Sequence, residues 1–180
     1  MPERSLNIPF YARGLHFSCK RCSSCCRYES GFVFLSEKDA SRLAAALNMG
    51  HGEFQSVFCR WISVENGRSQ LSLKEKSNFD CIFWTLNKND GTESGCSVYN
   101  ERPLQCRAFP FWSSMLSSKE GWEAAAGDCP GIGQGSFHSF ESINKWLDMR
   151  NNEPIISRKV TVTGDAGLGS GFKSNNGSRS

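Results

Sequence analysis

Cys19-Lys20-Arg21-Cys22-Ser23-Ser24-Cys25-Cys26 places four thiols in eight residues. No core-packing rule asks for this. A helix face would need Leu or Ile, and a tight turn would need Gly, Pro or Asn. Thiols at C-x2-C spacing put two sulfurs within reach of one metal atom or cluster. Cys25 repeats the interval, so Cys19, Cys22 and Cys25 match the first three ligand positions of a bacterial ferredoxin run. Cys26 departs from that run. Adjacent side chains diverge, so one of Cys25 and Cys26 is expected to face the first site. The other is expected to face a distant cysteine or a second site.

Five further cysteines make nine in all. Cys81, Cys96, Cys106 and Cys129 lie in Asp-Cys-Ile-Phe, Gly-Cys-Ser-Val-Tyr, Arg-Pro-Leu-Gln-Cys-Arg and Cys-Pro-Gly-Ile-Gly contexts. Pro or Gly beside a cysteine shapes a tight backbone around a ligand sulfur, and Cys-Pro closes the ferredoxin-type run. Cys59 differs. It follows Phe58 and precedes Trp61, and it reads as a buried core thiol on a helix face. Setting it aside leaves eight ligand candidates: Cys19, Cys22, Cys25, Cys26, Cys81, Cys96, Cys106 and Cys129. Lys20, Arg21, Arg27 and Arg107 stand next to them in sequence, where they offset thiolate charge. Arg102 and Arg107 are expected to make structural hydrogen bonds around the Pro103 turn. His16 lies near enough to the run to be weighed as a ligand, but a surface or supporting role is expected.

The chain has 180 residues, 38% of them hydrophobic, enough for one domain with a modest core. A net charge of +3 is too small to argue for nucleic acid. No apolar run reaches the ~20 residues of a membrane span, and Met1 to Phe10 has no apolar signal core. The expected compartment is therefore the cytoplasm, where clustered cysteines read as metal ligands rather than disulfides. The partners expected are a redox or other protein, with neither nucleic acid nor membrane.

The pattern predicts an α+β fold, a small single domain of short strands and a few helices organised around the cysteine-ligated site. Its domain covers residues 1–157. The Gly/Ser/Asn-rich stretch 158–180 is expected to be a disordered tail. Phe32 to Leu35 reads as a short buried strand. Ser36 caps a helix carrying Ala40, Leu43, Ala44 and Leu47, which Gly50 stops. A second short helix spans Glu53 to Cys59. Asn66-Gly67, between Trp61–Val64 and Ser69–Leu73, signals a hairpin. A strand pair is expected from Cys81–Leu86 and Cys96–Tyr99, joined through Asn87 to Gly95. Pro103 opens a helical turn carrying Cys106. Phe111–Leu116 and Trp122–Ala126 read as a last hairpin, and Ser139 to Arg150 as an amphipathic helix.

The ordered series C-x-x-C-x-x-C-C, Cys81-x-Phe83, G-C-x-V-Y-x-x-R-P-x-x-C-R-x-F-P and C-P-G-x-G resembles the cysteine-cluster family of zinc- or iron-chelating domains. Its members are often labelled iron–sulfur or oxidoreductase proteins. The resemblance runs from Cys19 to about Gly135. It implies metal binding at the eight cysteines named above, with Cys59 outside the pattern. The triple C-x2-C-x2-C favours an iron–sulfur cluster over zinc, since structural zinc sites usually use two separated C-x2-C pairs. The role expected is electron transfer or metal handling. A related cysteine domain in flagellin lysine-N-methylases implies an alternative, a protein-modifying enzyme or its accessory. A zinc-stapled interaction module is a second alternative. No Ser/His/Asp order, H-E-x-x-H or Walker loop accompanies the cysteines.

Overall fold

The computed structural model describes residues 8–86 and 94–160. The tail beyond residue 160, and most of the polar link expected between Asn87 and Gly95, lie outside the described residues. The chain opens on a 3-10 turn, Phe10–Arg13, and strand β1 (Leu15–Phe17). The cysteine run follows, with a single 3-10 turn at Ser24–Cys26 as its regular structure. The segment expected as a strand, Phe32 to Leu35, is extended but makes only one isolated bridge, Phe34 to Ser72. Leu35 is fully buried and its N–H donates to the Leu71 carbonyl at 3.0 Å, whereas Phe32 faces solvent.

Helix α1 (Glu37–Ala46) starts at a reciprocal cap. The Ser36 hydroxyl accepts from the Asp39 N–H, and the Asp39 carboxylate accepts from the Ser36 N–H. Ala40, Leu43 and Ala44 face the core. The helix ends before the expected stop, because Asn48 takes a left-handed backbone (φ 54°) and Gly50 caps the next helix, α2 (His51–Phe58). Cys59 is not on that helix. It is the first residue of β2 (Cys59–Val64), which pairs with β3 (Arg68–Leu73) in register from Cys59↔Leu73 to Val64↔Arg68. Asn66 (φ 64°) and Gly67 (φ 62°) both turn left-handed, as a hairpin turn that matches strand twist requires.

Strand β4 (Trp84–Thr85) and β5 (Gly95–Cys96) form a two-residue ribbon, shorter than the expected pair, and Tyr99–Glu101 is a 3-10 turn instead of strand. Helix α3 (Leu104–Ala108) follows Pro103 and carries Cys106. The expected second hairpin is absent. Its second half lies in helix α4 (Lys119–Asp128), where the Ser118 hydroxyl accepts from the Gly121 N–H at 3.0 Å. Ser118 at the cap, Glu120 in the first turn and Ala124 to Ala126 behind it favour helix. Phe111 stacks on Trp122 of this helix, with centroids 6.0 Å apart. Strand β6 (Ile132–His138) pairs antiparallel with β1, and helix α5 (Phe140–Asn152) buries Ile143. Strand β7 (Ser157–Lys159) adds to β3, so the sheet order is β2-β3-β7. Arg158 and Lys159 therefore stand in a strand, although the sequence pattern assigned them to the tail.

This single domain of mixed helices and strands has two apolar clusters. One gathers Leu35, Leu43, Phe54, Leu71, Leu73 and Phe83 under the hairpin. The other gathers Phe17, Phe111, Trp122, Ile132 and Ile143 between β1, β6, α4 and α5. Cys81 and Cys96 pack against the first, and Cys129 packs against the second.

Glu75 ties the segment after the run to the hairpin. Its carboxylate accepts from the Gly31 N–H (2.6 Å), the Ser30 hydroxyl (3.0 Å) and Arg60 (2.5 Å). Burial alone would raise this carboxyl, but those donors outweigh it and hold the group below the usual carboxylate range. A lowered folded-state value stabilises above the unfolded value of about 4.3, and the benefit disappears as pH falls through the folded value. Glu75→Gln should melt below wild type at pH 7, and the gap should close as pH falls below the unfolded value and through the lowered folded one. Paired thermal melts across that range test this, since other titrations cancel in the difference. A gap that does not change with pH would refute it.

Candidate metal centre

The run is wound rather than extended. Arg21 (φ 54°), Ser23 (φ 66°) and Tyr28 (φ 75°) all take left-handed angles that cost energy for residues with a Cβ. Hydrogen bonds hold the winding. The Cys26 N–H donates to the Ser23 carbonyl at 3.0 Å, and its sulfur stands 3.2 Å from the same oxygen. The Cys81 N–H reaches across to the Cys26 carbonyl at 2.9 Å. Beside that link, Arg27 donates to the buried Asp80 carboxylate at 3.1 Å, and Asn78 donates at 2.9 Å. Burial opposes ionisation of Asp80, yet these donors and Lys76 keep its carboxyl below the ordinary range.

On the other side, Gly131 fixes the run against β6. A Cβ at Gly131 would stand 2.4 Å from the Ser18 carbonyl oxygen, so only glycine allows this approach. The Ser18 N–H returns a bond to the Gly131 carbonyl at 3.3 Å. The Cys129-Pro130-Gly131 turn is thereby brought to the start of the run.

The cysteines share a local geometry. The backbone N–H groups of Phe83 and Trp84, two and three residues on, favour the thiolate of Cys81. Those of Gly131 and Ile132, at the same offsets, do so for Cys129, and that of Val98 for Cys96. The Cys19 sulfur accepts from the Arg21 N–H at 3.4 Å. At Cys81 and Cys129 a tight turn produces this, with the third residue's N–H bonded to the cysteine carbonyl, at 2.8 and 3.1 Å. An amide aimed at sulfur favours thiolate, the form that binds metal.

Charge influences link seven of the eight candidates, Cys22, Cys25, Cys26, Cys81, Cys96, Cys106 and Cys129. Burial pushes the Cys106 thiol up, and the charges of Cys81, Cys25 and Cys96 push it further. Cys26 is also raised, first because its thiol donates to Cys25, then by burial and by the charges of Cys25, Cys81 and Cys96. Burial raises Cys129, with added repulsion from Cys22 and Cys25. Cys25 goes the other way, to about 7, because the Cys26 thiol donates to it and Arg102 is near, with burial opposing. Cys25 and Cys26 share the 3-10 turn, influence each other's thiols directly, and both lie within electrostatic reach of Cys96. Cys19, Cys22 and Cys25 are exposed. Cys59 stands apart in the hairpin core, pushed up to about 11 by burial, with Lys74 opposing.

Residues 18–130 match the family model CxxCxxCC, described as "Putative zinc- or iron-chelating domain". The chain belongs to the CxxCxxCC family. An uncharacterized protein of Methanocaldococcus jannaschii is 28% identical over 119 residues, covering 66% of this chain and 58% of the relative. The chain thus spans under two thirds of that relative's length. No solved structure matches the chain.

The CxxCxxCC span contains all nine cysteines and ends just after Cys129, before α5 and β7. Among the described residues, no three His, Cys, Asp or Glu side chains are already drawn up around one point as an ion site. The donor chemistry nonetheless fits a thiophilic metal: thiols alone, more than four of them, with amides on the sulfurs. The offsetting charge comes from residues other than those expected. Arg102 faces Cys25, Cys96 and Cys106, and Lys76 faces Cys81. Arg27 is instead engaged with Asp80, and Arg107 donates to the Arg102 carbonyl at 3.1 Å. Arg102 also keeps its expected structural bond, donating to the Tyr99 carbonyl at 2.9 Å. His16 is bonded through Nδ1 to the Gly135 carbonyl and so is turned to β6. A cleft of about 470 Å3 lined by Lys38, Glu141, Lys145 and Asp148 holds no thiol and carries both signs of charge, so the chemistry lies with the cysteines.

Among the described residues, no helix is long and apolar enough to cross a membrane.

Proposed function

We propose that this chain holds an iron–sulfur cluster through the thiolates of its cysteine run and of Cys81, Cys96, Cys106 and Cys129, and passes electrons to a partner protein. The observation that carries the reading is that seven thiols, from the run and four later segments, lie within electrostatic reach of one another. Iron–sulfur is favoured over zinc by the C-x2-C-x2-C spacing of Cys19, Cys22 and Cys25. It is favoured also by amide donors on the ligand sulfurs, a means by which proteins set cluster potentials. Such a centre keeps its thiols in a reducing compartment, which supports the cytoplasm as its place. Because few elements here are long, metal binding is also part of the folding free energy.

The test is anaerobic purification followed by metal, sulfide and absorption measurements. Iron with acid-labile sulfide and broad visible absorption is expected, together with a fall in melting temperature on chelation. A colourless protein with stoichiometric zinc would overturn the iron–sulfur assignment. A protein that binds neither metal would overturn the reading as a whole.

A further inference from the structure

Trp84 carries an unexplained polar atom. The residue is 7% exposed, and its buried indole Nε1–H has no hydrogen-bond partner among the described residues. Buried indoles ordinarily find an acceptor, and leaving one unpaired costs about 1–3 kcal/mol. The ring is held firmly in spite of this. The Arg27 guanidinium lies 3.7 Å from its centroid and is itself anchored by Asp80. Lys76 stands 5.7 Å from the centroid and donates to the Trp84 carbonyl. Both cations are donors only, so neither can accept the indole proton.

The position of Trp84 narrows the choice of acceptor. In the β4–β5 ribbon it pairs directly with Cys96, so the two side chains share one face, with Cβ atoms about 5 Å apart. Its backbone N–H is bonded to the Cys81 carbonyl at 2.8 Å, which holds it beside that cysteine. The residue thus lies between two of the linked thiols, with an N–H to spare in a setting otherwise filled by donors. We infer that Trp84 is a positioning residue of the thiolate centre: its indole N–H is held to donate to a sulfur of the bound centre. That sulfur is the Cys96 thiolate or a bridging sulfide. The inference rests on the metal-centre reading above. A hydrogen bond to an anionic sulfur stabilises the more negative, reduced state and slows loss of the ligand. Trp84 therefore raises the reduction potential of the centre and retains its metal.

The experiment compares holo wild type with Trp84→Phe and with a variant carrying benzothienylalanine at position 84. That analogue keeps the bicyclic shape and removes only the N–H, so it decides the matter if Trp84→Phe does not fold. Metal content is measured first, then the midpoint potential and the rate of metal loss to a chelator. The expected result is wild-type metal loading, a more negative potential and several-fold faster metal release in the analogue variant. For a zinc-loaded protein the release rate alone is read, with the same expectation. Wild-type potential and release rate in the analogue variant would overturn the role of Trp84 and leave the metal centre standing. Absence of metal from wild type would instead overturn the reading on which this inference rests.

Discussion

Asp39→Ala should destabilise the protein by about 3–4 kcal/mol, because it strips a fully buried acceptor of three donors. Asp39 is 0% exposed. One carboxylate oxygen accepts from the Leu104 N–H at 2.8 Å and from Arg42 at 3.0 Å, and the other accepts from the Ser36 N–H at 3.3 Å. The side chain thus closes the cap of α1 and also satisfies the first N–H of α3, the helix that carries Cys106. Alanine leaves both amides buried without a partner. Arg42 retains Glu101 at 3.4 Å and the Arg102 carbonyl at 2.8 Å, so its loss is only partial. Asp39→Asn keeps one acceptor oxygen for Leu104 and should cost roughly half as much. Urea unfolding of the three proteins tests this, and a cost under about 1 kcal/mol for Asp39→Ala would contradict it.

The features legible in the sequence were those decided locally. The Ser36–Asp39 cap, the Asn66-Gly67 turn and the Ser139 cap each depend on residues within a few positions, and each element appears where those residues put it. Strand β6 was not legible. Only Ile132 of its residues is buried, it contains two glycines, and its pairing is supplied by β1 more than 100 residues earlier. The false hairpin at Phe111 and Trp122 has a related cause. Two aromatics that meet face to face in the core look alike in sequence whether a strand or a helix delivers them. Cys59 was assigned to a helix because Phe54 and Phe58 continue a helical period up to it. The chain turns to strand at that residue because Leu73 pairs with it.

At the site, thiol chemistry was readable from spacing, since C-x2-C-x2-C has few other uses. Its surroundings were not. Arg102 and Lys76 face the thiols from distant turns, whereas the basic residues adjacent in sequence, Arg27 and Arg107, are committed to Asp80 and to a backbone carbonyl. Charge next to a cysteine in sequence says little about charge next to its sulfur. The orphaned indole of Trp84 depends on a strand pairing two residues long, which leaves almost no periodic trace.

Cys106→Ser should remove most of the bound metal, while Cys59→Ala should leave metal content near wild type. Cys106 lies on α3 with Cys25, Cys81 and Cys96 close enough to raise its thiol. Serine offers a hard oxygen of high pKa in place of a soft thiolate, which is a poor ligand for zinc or for a cluster. The remaining thiolates would face one another with one ligand missing and their repulsion no longer offset. A site that contributes to folding then weakens the fold as well, so soluble yield and melting temperature should fall together with metal. Cys59 is equally a cysteine and is more buried, but its neighbours are apolar and its one charged influence besides burial is Lys74. Removing its sulfur leaves a small void and should cost about 1 kcal/mol, with no change at the thiols. Metal per protein, measured on both variants prepared side by side with wild type, separates a ligand from a core thiol. Equal metal loss in the two would show that this division of the nine cysteines is wrong.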